Sequence, residues 1–303
     1  MEIPTSRAVR TRIVERPGLW MPANELETLV AQLKSVVQRS LPNEELNYGV
    51  LSGDKSRLDN AIITILYDRA SGTPIAFNAL AVMVLPLRGQ QIEVLHLGLV
   101  MVDPNFRTQG LSWILYGLTC MLFFVRRRMR PVWISNVTQV PAIVGKVTES
   151  FAQVFPSPDN SSRRSFDHLA IAREIMRRHR NVFGVGDDAE FDESRFVIKN
   201  AYTGGSDNLK KGIDEATPHR DARYNDMCRA QLDYARGDDF LQLGQFNLNV
   251  ARNYLLKSVP RDSLPALLTR LLFLFIGSLL LPAIHWFFTD QALGDLRPRK
   301  RTA

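Results

Sequence analysis

The fold of this chain is decided by the stretch His96-Leu-Gly-Leu-Val-Met-Val-Asp-Pro-Asn-Phe-Arg-Thr-Gln-Gly-Leu-Ser-Trp-Ile-Leu. Its apolar residues up to Val102 predict a strand, the polar run after them predicts a loop, and the apolar run from Ser112 predicts a helix. The first N–H groups of a helix have no acceptor within the helix and favour a bound anion. Gly110 allows a phosphate to approach the backbone closely, and Arg107 adds a permanent positive charge. The stretch therefore predicts an anion-binding site between a strand and a helix.

The segments around this stretch predict a mixed α/β unit. Turn sequences separate the three strands before the loop, so these strands are expected to form an antiparallel meander. The strand before the loop and the strand after the helix are expected to pair in parallel, through a right-handed crossover. The predicted strands are 7–15, 61–67, 74–85, 92–102 and 131–136, and the predicted helices are 24–41 (with Asn24 as its N-cap), 112–127 and 141–151.

The sequence lacks the two best-known phosphate-binding motifs. It has no GxxxxGK[ST], which excludes a P-loop, and no GxGxxG, which argues against dinucleotide binding. The two cysteines and five histidines have no metal-ligand spacing, so no metal site is predicted. The formal net charge of +7 favours an anionic partner, such as a phosphate-bearing cofactor or an acidic lipid surface. Nucleic acid is not the predicted partner, because the arginines end predicted helices and lack interleaved exposed aromatic residues.

The segment from Val102 to Ser112 resembles the acyl-CoA-binding motif of the GCN5-related N-acyltransferases, the GNAT superfamily, whose core is [Q/R]-x-x-G-x-[G/A]. Arg107 and Gly110 match this motif, whereas Ser112 stands where the family usually has Gly or Ala. The order of predicted elements over residues 7–155 is also that of the family. The resemblance implies an α+β fold with a mixed, mostly antiparallel twisted sheet flanked by helices. It also implies acyl-CoA or acetyl-CoA as co-substrate, with no metal.

The same resemblance implies cofactor-binding roles for particular residues. Backbone amides of the loop would hold the pyrophosphate, and a splayed strand would offer its backbone groups at Val100 and Val102 to the pantetheine arm. Asn136 matches a position near the thiol end in many members, and it would otherwise be a turn residue at the end of a strand. The loop residues concerned are Arg107, Thr108, Gln109, Gly110, Leu111 and Ser112.

An acceptor amine is protonated at neutral pH, so a base must take its proton. Histone-acetylating members of the family carry a glutamate base fourteen positions before the first glycine of the motif, and this position holds His96. An imidazole suits this role at neutral pH, although a lone histidine on a strand is also typical of a hydrogen-bonded core residue. Glu93 is the second candidate base, or else a solvated residue near the start of the strand. Many members protonate the leaving thiolate with a tyrosine; none occurs at the expected place, where Phe151 stands.

Three regions are predicted along the chain: a GNAT-like acyl-CoA-binding domain (1–155), a mostly helical acceptor-side or capping region (156–262), and a hydrophobic membrane-associated segment with a basic tail (263–303). The uncharged run 271–288 would reach about 27 Å as a helix, at the lower edge of a membrane span. A buried core helix is the alternative. The basic tail and Pro282 favour a re-entrant segment, or one that lies in the plane of the membrane surface, over one that crosses the membrane.

These features predict a membrane-associated N-acyltransferase, with its catalytic domain on the cytoplasmic side, that acylates a lipid amine such as a sphingoid base or an amino-acid lipid. Some GNAT-like enzymes, including bacterial ceramide synthases, have such an activity. Two alternatives remain. One is an acetyl-CoA-dependent N-acetyltransferase of a small soluble amine or a protein lysine, and the other is a non-catalytic sensor of CoA or lipid. The sequence makes no prediction of the acyl chain length or of the oligomeric state.

Overall fold

The computed structural model describes residues 2–287, except 7, 43–45, 47, 48, 108, 160–162 and 205. Within these residues the strands form one mixed sheet, in the order β1-β2-β3-β4-β5-β7-β11-β10-β9, with β6 paired to β4 and β8 paired to β11. The strands are β1 (Glu2–Pro4), β2 (Val9–Glu15), β3 (Ala61–Asp68), β4 (Pro74–Leu87), β5 (Gln90–His96), β6 (Val100–Val102), β7 (Val132–Thr138), β8 (Ala152–Phe155), β9 (Glu190–Asp192), β10 (Val197–Lys199) and β11 (Asp239–Phe246).

Helices cover both faces of this sheet. Two apolar clusters on one face lie under α1 and α5, and a third cluster on the other face includes α3 and the start of α8. The α-helices are α1 (Ala23–Ser40), α2 (Lys55–Asp59), α3 (Thr119–Arg126), α4 (Pro141–Ser150), α5 (Phe166–Arg178), α6 (Ala222–Gln231), α7 (Leu248–Asn253) and α8 (Leu264–Phe287).

The predicted antiparallel meander and the predicted parallel pairing are confirmed. Strands β2 to β5 pair antiparallel with their sequence neighbours, and β5 pairs in parallel with β7 over 94–96 and 133–135. Strand β3 is buried along almost its whole length because helices or neighbouring segments cover both of its sides. One detail of the prediction is wrong: α1 begins at Ala23, with Pro22 at the N-cap position, so Asn24 does not cap it.

The strand predicted over 92–102 is interrupted. Strand β5 ends at His96 and β6 begins at Val100, and both pair with the long strand β4. Between them, a Cβ atom on Gly98 would lie 2.2 Å from the carbonyl oxygen of Ala79. The chain therefore changes direction at a position where a side chain has no space.

The helix predicted over 112–127 contains a π-helical turn at Ile114–Leu118 before α3. Such a turn changes the backbone hydrogen-bonding pattern of a helix. Two side chains bond to carbonyl groups here: the Tyr254 hydroxyl donates to Trp113 at 3.0 Å, and the Asn78 amide donates to Leu115. The ring of Tyr254 lies directly over Gly117, where a Cβ atom would be 2.1 Å away from it.

The sheet continues beyond the region predicted as the GNAT-like domain. Strand β11 pairs antiparallel with β7 over 132–138, and β10 and β9 extend the sheet from there. The region 156–262, predicted to be mostly helical, contributes α5, α6 and α7 and also three strands of the central sheet. The boundary predicted at residue 155 does not divide that sheet.

Helix α8 packs against the rest of the protein with only part of its surface. Leu267 and Leu271 are buried in the cluster that includes α3, whereas Leu272 and Phe273 are 58% and 73% exposed. Among the described residues, no helix has both the length and the apolar character needed to cross a membrane. The predicted basic tail lies in 288–303, outside the described residues.

Candidate active site

Strands β5 and β7 separate just after they pair. Their last backbone hydrogen bond joins the N–H of Leu97 to the carbonyl of Ser135, at 2.7 Å. Beyond it, β6 pairs only with β4 within the described part of the chain, while β7 runs on beside β11. The gap between β6 and β7 forms a cavity of about 280 Å³, which we call the strand cleft, lined by His96, Val100, Asn136 and Tyr116 among others.

The backbone of β6 presents free groups to the strand cleft. The carbonyl of Leu99 and the N–H of Asp103 bond to β4, so the odd-numbered residues direct their backbone groups toward that strand. The backbone groups of Val100 and Val102 therefore face the unpaired edge. The carbonyl of Val102 accepts a bond from the Ser40 hydroxyl at 3.1 Å, which leaves the groups of Val100 and the N–H of Val102 for a ligand.

A second cavity lies at the start of the helix that follows the loop. This helix-start cavity has a volume of about 600 Å³ and is lined by Gly110, Ser112, Lys146 and Lys257 among others. Gly110 adopts φ +66°, a left-handed conformation that favours glycine, and Ser112 is exposed. The unsatisfied N–H groups of the helix start and the two ammonium groups make this cavity suited to phosphate. Tyr116 lines both this cavity and the strand cleft, so the two adjoin.

The remaining loop residues predicted to bind the cofactor have different surroundings. Arg107 and Gln109 are exposed, and neither lines the helix-start cavity. Leu111 is buried in the apolar core, where it anchors the helix start. Thr108 lies outside the described residues. The roles predicted for Arg107, Gln109 and Leu111 through the resemblance stay predictions.

Asn136 lies within a strand, because β7 continues to Thr138. It is therefore not a turn residue at a strand end, which was the alternative reading of its role. It is buried in the wall of the strand cleft, and its amide nitrogen donates to Gln242 on β11 at 3.3 Å. This hydrogen bond fixes the orientation of the Asn136 side-chain amide and therefore also the position of its Oδ1 atom.

A third cavity, of about 500 Å³, lies on the α1 and α5 face of the sheet, and we call it the α2 cavity. Residues of α2, small side chains of β4 such as Ala79 and Ala81, and His179 line it. His96, Gly98 and Leu99 line both the α2 cavity and the strand cleft. His96, Gly98 and Leu99 therefore form a wall that the two cavities share.

His96 is buried at this junction. Its Nδ1 lies 3.1 Å from the Ser135 hydroxyl oxygen, and its ring packs on Phe183 with the centroids 5.0 Å apart. Burial lowers the pKa of His96 to about 4, because a charged imidazolium would lose its hydration there. The ring is therefore neutral at pH 7. An imidazolium with this pKa is a much stronger acid than an alkylammonium ion, so His96 would not retain a proton taken from an amine. This weakens the prediction of His96 as the base.

Glu93 lies on the opposite face of the sheet from His96, since the two residues are three apart on β5. Its carboxylate forms ion pairs with Arg16 at 3.4 Å and Arg127 at 3.0 Å. It lines none of the three cavities. The structure does not bring Glu93 together with the other predicted site residues.

One ionisable residue of the strand cleft, Asp239, was missed by the sequence analysis. Asp239, the first residue of β11, is 5% exposed, and Tyr202 donates a hydrogen bond to its carboxylate at 3.0 Å. Burial raises the pKa of Asp239 to about 7. The only available signal was the acidic pair Asp238-Asp239 directly before an apolar run. Phe151, at the place of the missing tyrosine, is buried in the apolar core beside Phe246.

No protein-family model and no curated protein matches this chain. Similar solved structures include the GNAT family N-acetyltransferase YhbS from Escherichia coli in complex with CoA (16% identity, 47% of this chain and 69% of that chain, TM-score 0.33). An acetyltransferase from Trypanosoma brucei is 16% identical over 37% of this chain and 72% of its own, with a TM-score of 0.25. The ribosomal-protein-S5-alanine acetyltransferase from Vibrio fischeri is 12% identical over 45% of this chain and 73% of its own, with a TM-score of 0.28.

These similarities are too weak to bear on function. The fold is described by the chain's own features: the antiparallel strands β2 to β5, the separation of β6 from β7, and the helix start after the end of β6. The predicted mixed, mostly antiparallel sheet flanked by helices is therefore confirmed.

Proposed function

We propose that this protein is an acyl-CoA-dependent N-acyltransferase. The observation that supports this most directly is that the three cavities adjoin one another and share lining residues. The helix-start cavity adjoins the strand cleft at Tyr116, and the strand cleft adjoins the α2 cavity at His96. A phosphate-bearing donor and an amine acceptor entering from opposite ends would meet beside His96.

The residues present suit the parts of CoA in order. The helix start at Gly110 and Ser112, with Lys146 and Lys257, offers N–H donors and positive charge for the phosphates. The unpaired edge of β6 offers hydrogen-bonding groups for the amides of the pantetheine arm. When bound, the thioester supplies an activated acyl group, and the protein orients the amine toward it. His96, neutral at pH 7, contributes a hydrogen bond to the amine rather than a lasting site for its proton.

A substitution at Ser112 tests the assignment of the phosphate site. Glutamate at the start of a helix is favourable for the helix dipole, so Ser112→Glu should leave the fold intact while it repels phosphates. We expect CoA binding, measured by calorimetry, to weaken at least tenfold in Ser112→Glu and to change little in the control Ser112→Ala. Equal affinity for CoA in all three proteins would contradict the proposed site.

A lipid amine as acceptor is supported by the exposed side of α8. Leu268, Leu272, Phe273, Ile276 and Leu280 are large apolar residues that are each at least 42% exposed. A helix with an exposed apolar side can lie in the surface of a membrane. We therefore propose association with a membrane surface, with the catalytic part on its cytoplasmic side and the acceptor drawn from the lipid.

Vesicle binding tests this second proposal. The double variant Leu272→Ser/Phe273→Ser removes exposed apolar side chains only, so its stability should be unchanged while its binding to vesicles of phosphatidylcholine and phosphatidylglycerol falls several-fold. The matched variant Glu27→Ser changes an exposed residue of α1 and should bind as the wild type does. Equal binding by both variants would favour a small soluble amine or a protein lysine as the acceptor.

A further inference from the structure

The strand cleft contains a buried carboxylic acid that has no cationic partner among the described residues. Asp239 is 5% exposed, and the hydrogen bond to its carboxylate comes from the neutral hydroxyl of Tyr202. The adjacent Asp238 differs, because Arg236 pairs with it at 2.7 Å. Buried carboxylates are ordinarily paired with a cation, since desolvating an isolated charge is costly. An exception in the wall of a cleft is typical of a functional group.

The position of Asp239 on the sheet places it on the same side as His96. His96 is beside Ser135 in the register of β5 and β7, and Ser135 is beside Leu243 in the register of β7 and β11. Asp239 is four residues from Leu243 on β11, so its side chain points to the same face. This is the face that carries the α2 cavity. His96 and Asp239 therefore both line the strand cleft from the same face of the sheet.

The strand cleft is small enough for a ligand to reach both walls. Its volume of about 280 Å³ equals that of roughly nine water molecules in the liquid. The ionisable residues that line it, within the described part of the chain, are His96, Tyr116, Tyr202, Lys211 and Asp239. Lys211 is exposed, and the two tyrosines are weak acids, so Asp239 is the one carboxylate of this set.

We propose that Asp239 receives the proton of the acceptor's ammonium group and that Tyr202 positions the carboxylate for this role. The ammonium gives one proton to an oxygen of Asp239, and the neutral amine then attacks the thioester carbonyl. The C–N bond forms, the C–S bond breaks with its electron pair going to sulfur, and the sulfur takes the second proton of the amine. Asp239 then returns its proton to water. This inference rests on the proposed acyltransferase function.

Two features of Asp239 suit it to this task. Burial raises its pKa to about 7, so it is a stronger base than a solvent-exposed aspartate and still half ionised at neutral pH. Asp238 beside it contributes a smaller repulsion in the same direction, and the hydrogen bond from Tyr202 acts against both. An ammonium ion that enters the cleft would supply the cationic partner that Asp239 does not have among the described residues.

The test compares Asp239→Asn with wild type in two measurements: the value of kcat/KM and the dependence of kcat/KM on pH. Asparagine keeps the size of the side chain and an oxygen that accepts from Tyr202, but it cannot take a proton. With acetyl-CoA or palmitoyl-CoA as donor and dodecylamine or spermidine as acceptor, we expect kcat/KM to fall by at least about 100-fold. The rise of kcat/KM with pH near 7 should disappear. The control Asp226→Asn, at an exposed surface residue, should behave as the wild type.

The variant Tyr202→Phe gives a second readout that a purely structural role would not produce. The Tyr202 hydroxyl stabilises the charged carboxylate, so its removal should shift the rise of kcat/KM to higher pH. The affinity for CoA should stay unchanged in both variants, which shows that the fold is intact. An Asp239→Asn protein with the wild-type kcat/KM and pH profile would overturn the inference and leave the proposed function standing.

Calorimetry on the CoA-saturated protein separates this inference from the proposed function. We expect dodecylamine or spermidine to bind at least tenfold more weakly to Asp239→Asn than to wild type at pH 7. Equal affinities for the two proteins would overturn the inference alone. If the wild type bound neither amine and released no thiol with either donor, both the inference and the proposed function would be wrong.

Discussion

At the scale of single residues, burial acts in opposite directions on two groups of the strand cleft. It lowers the pKa of His96 to about 4 and raises the pKa of Asp239 to about 7. In both cases the uncharged form is favoured, because the surrounding protein hydrates a charge poorly. The histidine that sequence position suggested as a base is therefore a weak one. The aspartate that the sequence did not single out is the better proton acceptor.

The raised pKa of Asp239 predicts a cost in stability at high pH. The folded protein holds this proton up to about pH 7, whereas the unfolded chain releases it near 3.8, so the free energy of unfolding falls as pH rises between these values. Asp239→Asn removes this loss. We expect its melting temperature to exceed that of wild type by a few degrees at pH 8, and the difference to shrink toward pH 4. A melting temperature below that of wild type at pH 8 would contradict this reading.

At the scale of elements, the sequence predicted the order of strands and helices over the first half well. Turn residues and apolar periodicity are local signals, and they determine β3, β4 and α1 to within a few residues. The break at Gly98 and the π-helical turn before α3 were missed, because both depend on a distant neighbour. Gly98 is confined by Ala79, and Gly117 by Tyr254.

Strand β11 was missed for a different reason. It is buried on both faces, so its sequence Asp-Phe-Leu-Gln-Leu-Gly-Gln-Phe does not show the alternation of a half-exposed strand. Its Gln242 bonds to carbonyl groups of Val144 and Pro156, a use of a polar residue that only the assembled sheet reveals. Local sequence patterns therefore could not predict the part of the candidate site that lies on β11.

The contact between Gly117 and Tyr254 gives a prediction at this scale. In Gly117→Ala the new methyl group would overlap the Tyr254 ring, which forces the π-helical turn and the 254–258 segment apart. We expect a loss of about 1–3 kcal/mol in the free energy of unfolding, measured with denaturant. The control is Gly72→Ala, at an exposed turn glycine where no atom lies within 4 Å of the new Cβ. The stability of this control changes only through the backbone strain of an alanine at positive φ.

A rescue variant completes that test. Replacing Tyr254 by Ala in the Gly117→Ala background removes the overlap, so the double variant should lose less stability than the sum of the two single changes. Strictly additive losses would show that the ring and the glycine are not in contact.

At the scale of the whole molecule, β11 joins the second half to the sheet of the first. It pairs with β7 along its length and with β8 on its other side. The apolar cluster around α5 draws residues from β4, β5 and β11, so it too includes both halves. The two halves therefore share both a sheet and a core. A division of the chain near residue 155 would separate strands that belong to one sheet.

This arrangement predicts that both halves unfold together. Trp20, Trp113 and Trp133 report on the first half, and the buried thiol of Cys228 reports on the second. In a Cys120→Ser/Trp286→Phe protein, which lacks the fourth tryptophan, tryptophan fluorescence and the reaction of Cys228 with a thiol reagent should change at the same denaturant concentration. Two separate transitions would show that residues 156–262 form an independent unit, as the sequence prediction held.

The central claim is that the three adjoining cavities bring an acyl thioester and an amine together. Release of free CoA thiol tests it most directly, with acetyl-CoA and palmitoyl-CoA each offered with dodecylamine or spermidine, on protein bound to vesicles. We predict release that requires an amine and is lost in Ser112→Glu, with palmitoyl-CoA and dodecylamine as the preferred pair. No release with any pair, from a protein that still binds CoA, would contradict the acyltransferase assignment and favour a sensor of CoA.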